Sequence, residues 1–143
     1  MNRSENAVAH FMEGFRCSQA VLGVYAEGHD MDIDLARKIS LGLAAGSGNG
    51  GECGAVTGAY LAIGLKYGFS HPGDPDAFHS MFDRIQNFTD RFKELHKEID
   101  CPKLIGLDVL SPEGHQKFVE NGIKKTRCAE YVRDAVRILE DIL

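Results

Sequence analysis

Residues 74–99 read DPDAFHSMFDRIQNFTDRFKELHKEI. Phe78, Met81, Phe82, Ile85, Phe88, Phe92, Leu95 and Ile99 recur three and four positions apart, a spacing that places them on one face of a helix. A strand would need its apolar positions to alternate, and this segment does not alternate anywhere. Asp74 supplies a capping side chain and Pro75 suits the first helical position, while Cys101-Pro102 breaks the pattern at its far end. The segment therefore predicts one long helix, with the aromatic stripe Phe78, Phe82, Phe88 and Phe92 in the core.

The same period runs outward in both directions. Ala7, Val8, Phe11, Met12 and Phe15 predict a first helix opened by Ser4 and stopped near Gly14. Cys17, Ala20, Val21, Val24 and Tyr25 predict a second, ending around Gly28. A third starts near Asp32 with Leu35, Ile39 and Leu43 on its stripe. Cys53, Val56, Tyr60, Ile63 and Tyr67 mark a fourth that closes at Gly68, and His71 to Pro75 forms a turn that can act as a hinge. Beyond the long helix, Pro102 starts a short helix through Leu107. Ser111-Pro112 starts another, carrying His115, Phe118 and Val119 up to Gly122. The last runs from about Thr126 with Cys128, Tyr131, Val132, Ala135, Val136, Leu139 and Ile142 inward. The expected fold is all-α: one compact domain over residues 1–143 with seven or eight helices.

Composition narrows the function classes. The chain has 143 residues, 43% hydrophobic and 26% charged, which is the balance of a soluble globular domain with a real core. Its net charge of -5 provides no positive field to gather phosphates, so nucleic acid is not the expected partner. No apolar run approaches the roughly 18 residues of a membrane helix, and residues 1–6 lack the charged start and apolar middle of a secretory signal. The expected address is cytoplasmic. Helical domains of this size commonly form homodimers, which sets the expectation for the oligomer.

Cys17, Cys53, Cys101 and Cys128 stand 36, 48 and 27 positions apart, with no C-x-x-C pair. In a reducing compartment such cysteines are more often buried, catalytic or metal-bound than permanently bridged. Each falls in the first turn of an expected helix, where unpaired N–H groups and the helix dipole favour thiolate over thiol. That location predicts lowered pKa values, helped at Cys17 by Arg16 and at Cys128 by Lys124, Lys125 and Arg127, and opposed at Cys53 by Glu52. The plain alternative is that each is a small buried hydrophobe.

The run Gly46-Ser47-Gly48-Asn49-Gly50-Gly51 cannot stay helical cheaply and predicts a loop with unusual backbone angles. It leads through Cys53-Gly54 into a helix start, where Gly50, Gly51 and Gly54 could let another group approach or cradle an anion. The equally weighted alternative is a flexible crossing between packed helices. No Gly-Lys-Ser/Thr follows, so it is not a P-loop. The six histidines show no metal-ligand spacing, and no Gly-x-Ser-x-Gly elbow or paired carboxylate supports a hydrolase.

At Cys53-Gly54-Ala55-Val56-Thr57-Gly58 the chain resembles the redox-active protein family known by its cysteine signature, C_GCAxxG_C_C, whose members carry four cysteines and a C-G-A-x-x-G motif. Cys17-Ser18-Gln19-Ala20 is similar to the family's first cysteine segment and Gly48 to Gly51 to its glycine approach. Cys101 with Leu104, Gly106 and Asp108 is similar to the third, and Cys128 to the fourth. Arg16 departs from the family, in which Asn is expected before the first cysteine. Related domains occur joined to haem-binding segments in a cytochrome, but this chain has no C-x-x-C-H and haem is not carried over.

The leading expectation is a thiol-based redox protein in which Cys53 is the reactive thiolate and Cys17, Cys101 or Cys128 resolves it, exchanging electrons with a redox partner or small molecule. A second is that the four cysteines ligate an iron–sulfur cluster or zinc, although their wide spacing does not favour it. A third is a non-catalytic helical interaction domain in which the cysteines only pack.

Overall fold

The computed structural model describes residues 1–143 and contains eight α-helices and no sheet. They are α1 (Arg3–Glu13), α2 (Cys17–Ala26), α3 (Ile33–Leu41), α4 (Gly54–Tyr67), α5 (Pro75–His96), α6 (Cys101–Ile105), α7 (Pro112–Glu120) and α8 (Ala129–Ile142). The all-α expectation holds, and no helix is long and apolar enough to cross a membrane.

Helix α4 lies at the centre. Gly54, Ala55, Val56, Gly58, Ala59, Ala62 and Ile63 are buried around it, and its most extensive neighbour is α2. Small residues let the two backbones touch. A Cβ at Gly58 would sit 2.9 Å from Ser18 O and 3.1 Å from Ser18 Cα, closer than packed carbons tolerate. Helix α2 is bound on its other side to α3, because the buried Ser18 hydroxyl donates to Ser40 O at 2.7 Å. The apolar face of α8 covers α1 and α4, and α5 packs on both α4 and α8.

Three sequence expectations need correction. Helix α1 is capped by Asn2 and not opened by Ser4: the Asn2 side chain accepts from the Glu5 N–H, and the Glu5 carboxylate accepts from the Asn2 N–H. On α3 the fully buried residues are Ala36 and Ser40, while Leu35 and Ile39 are half exposed. The close α2–α3 approach admits only small side chains at its centre and sends the larger ones to the margin.

On α5, Phe88 and Phe92 are wholly buried, but Phe78 and Phe82 are each 48% exposed. The cause is length. Helix α5 has 22 residues against 14 in each of α4 and α8, about 33 Å against about 21 Å at 1.5 Å per residue, so its first turns overhang the core. There Phe78 and Phe82 pack on each other with ring centroids 4.8 Å apart.

The glycine run has the unusual backbone expected of it. Ala45, Gly46, Ser47 and Gly48 all have positive φ, making a left-handed turn, and Gly50 adds a fifth such residue. Ala45 and Ser47 pay a steric cost of roughly 1–2 kcal/mol each for this conformation, and surrounding packing must hold them in it.

Candidate functional site: four thiols around one cavity

The left-handed turn ends where residues 51–53 pair with residues 99–101. Glu52 faces Asp100 in an antiparallel bridge, Cys53 N donates to Ile99 O at 2.7 Å, and Cys101 N donates to Gly51 O at 2.9 Å. Cys53 and Cys101 therefore flank the same bridge and project to the same side of it, since side chains alternate along extended backbone. Gly46 lies against this pairing: a Cβ on it would meet Gly51 O at 2.8 Å and Cys101 Cβ at 3.2 Å. Its φ of +66° also suits glycine.

Cys53 caps α4, Cys17 is the first residue of α2 and Cys101 is the first of α6. Cys128 is different. It ends a π-helical turn, Lys124–Cys128, that runs continuously into α8, so it does not sit at a free helix start as the sequence suggested. The wide turn adds a residue to the register, a device that is frequent at functional sites.

All four cysteines line one cavity of about 360 Å³, together with Leu104, Ile105, Phe118 and Tyr131. Cys53 is buried and the other three are half-buried, and none is bridged. Cys17 and Cys101 each couple electrostatically to all three of the other thiols. Cys17 is set against the start of α4. Gly54 explains how it gets there, because the Cys17 sulfur occupies the space where a Cβ on residue 54 would stand. The two glycines of the hexapeptide thus have one task, letting the start of α2 approach the start of α4.

The electrostatics reverse the expectation of acidic thiols. Burial raises all four pKa values above the ordinary thiol value of 9.0, with Cys101 reaching about 11 and Cys128 about 12. For Cys128 the nearby Cys17 and Cys101 add to the rise, and Arg127 and Lys124 oppose it. Cys53 is raised well above the ordinary value: desolvation dominates, the neighbouring Cys17 and Cys101 add to the rise, and the backbone N–H groups of Ala55 and Val56 oppose it. At Cys17 desolvation also dominates, but the backbone N–H groups of Ala45, Ser18, Cys17 itself and Gly54 oppose it. The helix-start effect read from the sequence exists at Cys17, and it is smaller than the cost of removing a charge from water.

Gly54 is part of the cavity wall. Gly50 and Gly51 do not line the cavity; Gly51 O accepts from the Cys101 N–H, and Gly50 belongs to the preceding turn. No three His, Cys, Asp or Glu side chains converge as a metal-holding group, so metal ligation would require the sulfurs to draw inward from this arrangement. Sequence reasoning did not find Ala45 as an amide donor to Cys17, nor Arg16, His115 and Lys124 as members of one wall. They lie on separate elements, the start of α2, the left-handed turn, α7 and the π turn, which meet at this cavity.

Fold and site define a four-cysteine helical domain, with the thiols collected from four chain segments onto one apolar cavity. Residues 15–142 match the family described as "Putative redox-active protein (C_GCAxxG_C_C)", and the chain belongs to that family. No curated protein and no solved structure matches it.

Proposed function

We propose that this protein is a thiol–disulfide redox protein in which Cys17, rather than Cys53, is the attacking sulfur. The observation that carries the reading is the set of four backbone N–H groups, of Ala45, Ser18, Cys17 itself and Gly54, that faces the Cys17 sulfur, against two, of Ala55 and Val56, at Cys53. Those amides stabilise negative charge on sulfur without a proton or a metal, which is what an attacking thiolate needs. Cys53, the most buried of the four, suits the second step, because a resolving thiol has only to reach its neighbour.

The chemistry balances with an external disulfide as oxidant. The Cys17 thiolate attacks one sulfur of that disulfide, forming a mixed disulfide and releasing one thiolate. A second cysteine, Cys53 in this reading, gives up its proton and attacks the Cys17 sulfur, releasing the other half as a second thiol. Two protein thiols are oxidised to one bridge, and one external disulfide is reduced to two thiols. Reversal by a dithiol closes the cycle.

The test is a thiol count on the reduced protein before and after glutathione disulfide. The reading predicts loss of a pair of thiols without retained glutathione, fully restored by dithiothreitol. An unchanged count, or a glutathione adduct that never resolves internally, contradicts it.

A further inference from the structure

We infer that the thiol-lined cavity is a binding site for a small apolar molecule carrying one anionic group. At about 360 Å³ it lies near the lower end of the roughly 300–1,000 Å³ usual for ligand sites. Fourteen of its eighteen lining residues are hydrophobic. Buried Leu104, Ile105 and Tyr131 form part of the wall, and the half-exposed Leu41 and Leu110 lie toward solvent. Such a wall gives an apolar body somewhere to leave water.

The polar part of the lining has one sign. Arg16, Lys124 and His115 belong to it, and no Asp or Glu does. Neither Arg16 nor Lys124 is spent on a carboxylate, since both are absent from all eight ion pairs of the molecule. Lys124 instead lies over the Phe11 ring, 5.1 Å from its centroid, with Phe11 itself a cavity residue. Asp108 raises the pKa of Cys101 but is not part of the wall, and its carboxylate accepts from the Leu110 N–H. In a chain of net charge -5, two unpaired cations on one apolar cavity select for an anion locally. This inference concerns recognition and holds whether or not the thiols exchange electrons.

The experiment is calorimetric titration of the full, reduced protein with octanoate, octan-1-ol and octylamine. Octanoate is expected to bind tightest, and to slow alkylation of the cavity cysteines by iodoacetamide. Arg16→Gln and Lys124→Met should each weaken octanoate about fivefold, the scale of one exposed ion pair, with the helical melting curve unchanged. Octan-1-ol or octylamine binding as tightly as octanoate overturns the inference. So does octanoate binding that both substitutions leave intact, or that leaves the alkylation rate unaltered. Because the titration uses reduced protein and no oxidant, its failure would leave the redox reading standing, and the reverse is also true.

Discussion

The Cys17 sulfur stands against the backbone of Gly54, in the volume that a side chain at position 54 would need. Ala44 Cα and Leu43 O close the same space at 3.1 and 3.2 Å from such a Cβ. Gly54→Ala must therefore displace either the sulfur or the left-handed turn. We expect it to destabilise the fold by about 1–3 kcal/mol, as overpacking does, measured by urea unfolding. Combined with Cys17→Ala, part of that loss should return, so a double-mutant cycle gives a non-additive pair. Gly58→Ala meets the Ser18 backbone instead and should cost a similar amount that Cys17→Ala does not relieve.

The raised thiols make stability fall in alkali. A group that holds its proton more tightly when folded contributes its full stability below its unfolded pKa, and loses it as pH rises through the folded value. For Cys101 and Cys128 that window runs from the ordinary 9.0 to about 11 and about 12. Urea midpoints taken between about pH 8 and about pH 10.5 should drop more steeply for the wild type than for a Cys101→Ser/Cys128→Ser variant. Parallel curves would contradict the placement of these thiols.

Helix α5 should respond to truncation unevenly along its length. Phe92→Ala removes a wholly buried ring and should cost about 3–5 kcal/mol. Phe78→Ser, on the overhang, removes a side chain already 48% exposed and should cost well under half as much, read from the same unfolding curves.

Helical period and capping residues made the fold legible in the sequence, because four of the eight helices, α1, α3, α5 and α7, start at a side-chain cap, as Asp74-Pro75 and Ser111-Pro112 show. Periodicity could not say how far a stripe extends into the core. Phe78 and Leu35 keep perfect helical spacing and still face solvent, because burial depends on the length and closeness of the neighbouring helix. The four cysteines were legible as a set from their order and from the hexapeptide. Their relative roles were not, because the amide cluster at Cys17 is made by Ala45 in a left-handed conformation that no alanine announces. Acidic thiols were expected from helix starts alone, and desolvation, invisible without the packing, outweighs that effect.

In the proposed cycle Cys17 attacks first and is one half of the internal bridge. Peptide mapping of the disulfides formed by glutathione disulfide, in the wild type and in Cys17→Ser, tests it most directly. The account predicts a bridge between Cys17 and Cys53 in the wild type and no internal bridge in the variant. A bridge among Cys53, Cys101 and Cys128 that forms equally well without Cys17 would contradict it.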